Sequence, residues 1–120
     1  RTTWHIYAAL DVDAMRRAAR HLLGEHDFSA FRAKNCVAKN PVRILRRLDI
    51  AHEAEHLLHI DLEATAFLKN MARVIVGTLA EVGLGARPAD SMADILAGRD
   101  RRRAGVTAPA CGLTLERVYY

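Results

Sequence analysis

From Asp11 onward, apolar residues return at helical spacing. Val12, Met15, Ala19, Leu22 and Leu23 fall on one side, and Arg16, Arg17 and Arg20 on the other. Asp11 is a suitable N-cap for that helix, and Gly24 predicts its stop. The segment that follows, EHDFSAFRAKNCVAKNP, has no period. It predicts a loop anchored to the core by Phe28 and Phe31, with Arg32 and Lys34 facing outward. Further on, Leu58, Ile60, Leu62 and Ala64 alternate with His59, Asp61 and Glu63, and upstream Leu48 and Ile50 alternate with Arg47, Asp49 and Ala51. Period two predicts two half-buried strands, with AHEAEH, residues 51–56, as the turn between them. Ile50, Ala54, Leu57 and Leu58 also match a 3.6 period, but the alternation continues past His56 without cap or breaker and favours strands.

The longest amphipathic pattern runs through Phe67, Met71, Val74, Ile75, Thr78, Leu79 and Val82, ends at Gly83 and Gly85, and carries Lys69, Asn70, Arg73 and Gly77 opposite. After Pro88, Asp90 or Ser91 can cap a short helix holding Met92, Ile95 and Leu96, and the closing GLTLERVYY reads as a last strand. These elements define an α+β fold: an antiparallel or mixed sheet with helices packed on one face, a single domain over residues 1–120.

Charge adds a partner class. The formal net charge is +4, and Arg outnumbers Lys, with clusters at Arg16, Arg17 and Arg20, at Arg43, Arg46 and Arg47, and at Arg99 and Arg101 to Arg103. A guanidinium binds two phosphate oxygens at once, so an anionic partner fits, although solvated surface explains each cluster alone equally well. Cys36 and Cys111 are too few for a disulfide framework, and no apolar run is long enough to cross a membrane, so a reducing cytoplasm is expected. The chain begins at Arg1 rather than Met, which suits a piece of a longer polypeptide.

His52-Glu53-Ala54-Glu55-His56 spells H-E-x-x-H. On a helix, this would offer two zinc-binding imidazoles and a general base, with Glu81 as a possible third ligand. The flanking alternation places it instead at a solvated hairpin tip, and no metal is expected. Arg73 has a bland reading as a surface arginine. Gly77, one turn later, weakens that reading, because glycine inside a helix costs about 1 kcal/mol relative to alanine and marks close approach of another backbone or ligand. From Gly98 to Leu113, four arginines precede small residues and a proline, a basic loop suited to phosphate.

Three segments together resemble the C-terminal half of the bacterial tRNA pseudouridine synthase A family. They are LDVDAMRRAARHLLGEHDFSAFRA (10–33), AFLKNMARVIVGTLAEVGLG (66–85) and GRDRRRAGVTAPACGLTL (98–115), in the family's order and spacing. The resemblance implies isomerisation of uridine to pseudouridine in the tRNA anticodon stem-loop without cofactor or metal. It also implies a homodimer, and a catalytic aspartate in a Gly-Arg-Thr-Asp motif of the N-terminal half. That motif does not occur here, and Gly98-Arg99-Asp100 belongs to the C-terminal match. Arg73 matches the arginine of the family's Met-Val-Arg-Asn segment, which pairs with the aspartate. Ala72, Val74 and Cys111 depart from the family's pattern. Arg32, Lys34, Arg43, Lys69, Asn70 and Arg101 to Arg103 are the expected RNA-binding residues. A non-catalytic RNA-binding module and a minimal zinc peptidase are the competing readings.

Overall fold

The computed structural model describes residues 2–7, 9–33, 39–54, 57–68, 70–105 and 115–119. Five strands form one sheet in the order β2-β3-β4-β1-β5, where β1 is Thr2–Tyr7, β2 Gly24–Asp27, β3 Val42–Ala54, β4 Leu57–Ala64 and β5 Leu115–Tyr119. Every pairing is antiparallel. Three helices, α1 (Val12–Arg20), α2 (Met71–Gly83) and α3 (Ser91–Gly98), and two single 3-10 turns, Ser29–Phe31 and Arg101–Arg103, complete the described structure.

The expected hairpin is present, and its alternation sets the layers. Leu48, Ile50, Leu58, Ile60 and Leu62 are buried with Ile6 of β1 in the core shared with α1 and α2. Each fully buried side chain of this kind contributes about 1.5–3 kcal/mol. Arg47, Asp49, His59 and His5 take the opposite face by parity. A bulge between Leu45 and Arg47 shifts the phase of β3. Leu45 therefore points into the core while Val42 and Ile44 stay exposed. Asp61 departs from simple alternation. It lies on the polar face yet is only 2% exposed, with the Arg47 guanidinium 3.5 Å away.

Four expectations need correction. β3 runs through Ala54, which pairs with Leu57, so the connection is shorter than a turn over residues 51–56. The aperiodic segment contains β2, an edge strand paired only with β3. Its Glu25 is exposed and its His26 half-buried, so edge position erased the alternation that would have revealed it. α1 ends at Arg20, and Gly24 opens β2 at φ +97°, a conformation suited to glycine, rather than stopping the helix. α2 starts at Met71, not at Phe67, because Asn70 takes a left-handed φ of 61°. The capping expectation for α1 holds: the Asp11 carboxylate accepts from the Ala14 N–H at 3.1 Å. Phe28 and Phe31 are fully buried, as expected of anchors.

α1 and α2 meet where Gly83 lacks a side chain. A Cβ there would lie 2.8 Å from Met15 Sδ and 2.9 Å from Leu10 Cβ. At the same point the Asp11 N–H donates to the Gly83 carbonyl at 2.9 Å, tying the start of α1 to the end of α2. This fixes the direction in which α2 carries its first turn, where Arg73 sits.

Candidate active-site helix and basic surface

Arg73 is the third residue of α2, half-buried, and its side chain is already engaged by a neighbouring group. Its position is electrostatically unusual. A cation in the first turn faces the positive end of the helix dipole, an unfavourable placement of about 0.3–1 kcal/mol. The first turn of α2 contains no acidic residue, and Asn70 makes no side-chain cap. The guanidinium and the positive end of the helix dipole thus coincide at one helix end.

The middle of α2 is covered by the segment after α3. Thr78 is fully buried, and its hydroxyl donates to the Val74 carbonyl at 2.8 Å while accepting from the Gly105 N–H at 2.9 Å. A Cβ on Gly105 would lie 2.8 Å from Thr78 Cα and 2.9 Å from Glu81 Oε2. Gly77 is buried too, so the face of α2 opposite the sheet is not solvated as its polar residues suggested. The close backbone approach that Gly77 led one to expect is made one residue later, by Gly105 against Thr78. Glu81 pairs with Arg87 at 2.8 Å, and Arg87 also donates to the Arg103 carbonyl at 2.9 Å. Arg101 donates to the Gly105 carbonyl at 3.0 Å. The Arg101–Arg103 turn is therefore latched to the helix that carries Arg73, a connection across 27 residues that no local pattern announces.

The expected RNA-binding residues differ in what already holds them. Arg102 forms an ion pair with Asp100 at 3.0 Å, and hydrogen bonding from Arg102 holds the Asp100 carboxyl below its usual range. Arg101 is half-buried against the backbone, whereas Arg103 is exposed. Arg43 turns its guanidinium back onto the carbonyls of Asn40 (2.6 Å) and Val42 (2.8 Å), so it braces the start of β3. Arg32, expected to face outward, is half-buried. It acts with Arg99 on Asp27. Burial pushes the Asp27 carboxyl up, but hydrogen bonds from the Ser29 hydroxyl and N–H, with the charges of Arg99 and Arg32, hold it below the usual range. The Arg101–Arg103 turn packs against the Ser29–Phe31 turn, which brings Arg32, Arg99 and the arginine run to one side of the molecule. Asn70 is half-buried, and Lys34 and Lys69 lie outside the described residues. Asp27, Thr78, Arg87 and Arg99 were not picked out as site residues from the sequence, because each also engages a partner distant along the chain.

His52 is exposed on β3, opposite Leu58, so the helix that H-E-x-x-H requires is not there; His56 lies outside the described residues. Glu81 serves Arg87 instead of a metal. Among the described residues, no group of three or more His, Cys, Asp or Glu side chains is placed to hold a metal ion, and no helix is long and apolar enough to cross a membrane.

The molecule is an antiparallel α+β domain whose helix layer carries an arginine in the first turn of α2 and holds a basic turn against the middle of the same helix. Comparison with known proteins names the family. The profile of the tRNA pseudouridine synthase family matches residues 18–120, and the chain belongs to that family. It is 54% identical over 119 residues to the tRNA pseudouridine synthase A of Myxococcus xanthus, covering 99% of this chain and 45% of that protein. It is 53% identical over 120 residues to the protein of that name from Burkholderia multivorans, covering 100% of this chain and 44% of the relative. For the one from Syntrophotalea carbinolica the identity is 49%, covering 100% of this chain and 47% of the relative. The chain spans a little under half the length of these relatives.

Proposed function

We propose that this chain is the C-terminal domain, one unit over residues 1–120, of a cytoplasmic, homodimeric tRNA pseudouridine synthase acting on the anticodon stem-loop. The N-terminal half supplies the aspartate. In the reaction, the uridine N1–C1′ bond breaks, the base turns, a C5–C1′ bond forms, and the C5 proton is lost as N1 gains one. The chemistry requires no oxidant and no cofactor. Arg73 pairs with the incoming carboxylate, keeping it ionised and oriented while the uridine leaves its stack. Arg32, Lys34, Arg43, Lys69, Asn70 and Arg101 to Arg103 supply the RNA contacts. By itself this chain forms no pseudouridine, because the aspartate is missing.

The observation that carries this reading is the family match over residues 18–120, a stretch that includes Arg73 as the third residue of α2. The test joins this chain to an N-terminal half bearing Gly-Arg-Thr-Asp and measures pseudouridine in tRNA under single-turnover conditions. Formation by the joined halves and none by either alone is expected. Activity of this chain alone, or full activity of Arg73→Ala, would remove Arg73 and the division of labour.

A further inference from the structure

Apart from Arg73 and its latch, α3 and β2 flank an open, solvent-facing cavity of about 410 Å³ that the proposed chemistry does not use. Its size is within the range of about 300–1,000 Å³ typical of small-ligand sites. Ala93, Leu96 and Ala97 supply an apolar wall, while His21, His26, Asp27 and Arg99 supply the polar one.

The polar groups are held in place from outside the cavity. Asp27 Oδ1 accepts from the Ser29 N–H at 2.9 Å and from the Ser29 hydroxyl, which orients the carboxylate. Its other oxygen, Oδ2, stands 3.5 Å from Arg99 Nε, longer than the roughly 2.7–2.9 Å of a charge-assisted hydrogen bond. The pair is loose, and both partners retain capacity for a ligand. Arg99 is two-thirds exposed and holds a left-handed φ of 54°, a conformation uncommon for a residue other than glycine. That backbone turn sends the chain from α3 into the Arg101–Arg103 turn and leaves Arg99 beside Asp27. His26 Nε2 donates to the Leu23 carbonyl at 2.8 Å, leaving Nδ1 as an acceptor in the neutral ring. His21 lies 3.5 Å from Asp90 on the outer rim.

A small apolar wall, one oriented acceptor oxygen and an exposed guanidinium do not suit a bare anion, because the carboxylate would repel it. Together they match a nucleotide: a base face against Ala93, Leu96 and Ala97, an exocyclic amino group donating to Asp27 Oδ2, and the phosphate on Arg99. We propose that this cavity binds one unpaired nucleotide of an RNA, preferring a base with an exocyclic amino group over uracil. Uracil offers only N3–H, flanked by two carbonyls that face the carboxylate unfavourably. This rests on the reading of the chain as a tRNA-modifying domain and adds to it a second subsite with its own base preference.

The test is a titration of the isotopically labelled chain with AMP, CMP, UMP and inorganic phosphate, followed by amide chemical shifts. AMP and CMP should move His26, Asp27, Ala93, Ala97 and Arg99 and bind several-fold more tightly than UMP or phosphate. Arg99→Asn, which tolerates the left-handed backbone, should weaken AMP about tenfold or more, the scale of one charge-assisted contact. Ala97→Trp, on an exposed position, should block the cavity without changing charge. Asp27→Asn should abolish the preference over UMP, because an amide can present a donor where the carboxylate only accepts. Equal affinity for phosphate and AMP would reduce the cavity to a basic patch and overturn the proposal, as would AMP binding unaffected by Ala97→Trp. Pseudouridine formation by the joined halves is a separate readout: it can fail while the nucleotide titration succeeds, and the reverse holds equally.

Discussion

Two arginine-bearing regions look alike as composition and differ as structure. In the Arg101–Arg103 turn, Arg101 is bound to the Gly105 carbonyl and the exposed Arg102 to Asp100, while Arg103 is exposed too. At the start of α2, Arg73 sits where the helix dipole opposes it and where no acidic residue of the first turn answers it. In the turn, the arginines stabilise their own loop; at the helix start, local structure disfavours the cation, and the cost is met from elsewhere. Positive charge alone therefore does not mark a functional cation. The better sign is a cation whose own element is arranged against it.

The comparison can be broken most directly at Arg73. In the joined enzyme, Arg73→Ala should slow single-turnover pseudouridine formation roughly ten- to a hundredfold, the equivalent of about 1.5–3 kcal/mol for a charge-assisted bond. Arg73→Lys should be nearly as slow, since an ammonium lacks the fork that orients a carboxylate. Circular dichroism should show both variants folded. Loss of the fold would make Arg73 structural and erase the contrast with the turn.

The latch comes next. Gly105→Ala must displace Thr78 backbone or the Glu81 carboxylate and should destabilise the chain by about 1–3 kcal/mol in urea unfolding. Thr78→Val keeps the shape but leaves the buried Gly105 N–H without its acceptor, for a loss of about 1–3 kcal/mol. Wild-type stability in both variants would mean that the basic turn is not held by α2.

A smaller effect concerns Asp27. Its folded-state pKa lies below the unfolded value of about 3.9, so below pH 5 the unfolded chain binds more protons at this site than the native one. The stability it adds is complete above the unfolded pKa and is lost as pH falls through the folded one. Asp27→Asn should therefore flatten the decline in melting temperature on acidification below pH 4; an unchanged slope would assign the decline to other carboxylates. The smallest effect separates members of the turn. Arg103→Ala should lower the salt slope of tRNA binding by about 0.9, the value for one phosphate contact, and Arg102→Ala by less because Asp100 already shares its charge. Equal slopes would show that the Asp100 pair opens on RNA.

Much of the layer structure was legible because burial imposes a period. The alternation from Leu58 to Leu62, the α1 positions Val12, Met15, Ala19 and Leu22 with their Asp11 cap, and the α3 positions Met92, Ile95 and Leu96 all point to the core as their spacing required, whereas Leu23, placed on the same stripe, lies beyond the end of α1 and is exposed. β1 and β2 were not legible. β2 is a short edge strand without a buried face, and β1 finds its place by pairing with β4 and β5, both distant along the chain. Phe67 fits the apolar stripe and predicts an earlier start for α2, while the left-handed Asn70 is a backbone event that hydropathy does not encode.

For the candidate site, the family, the position of Arg73 on a helix and the supply of arginines were legible in the chain, since each is written in residue identity and local spacing. Tertiary structure decided which of those arginines are already spent, that Gly105 docks on Thr78, and that Arg99 stands over Asp27 beside a cavity. Hydrogen bonds and ion pairs act over about 3 Å in space, whatever the separation along the chain, so contacts between residues 27 and 99 or 78 and 105 come into existence only when the chain folds.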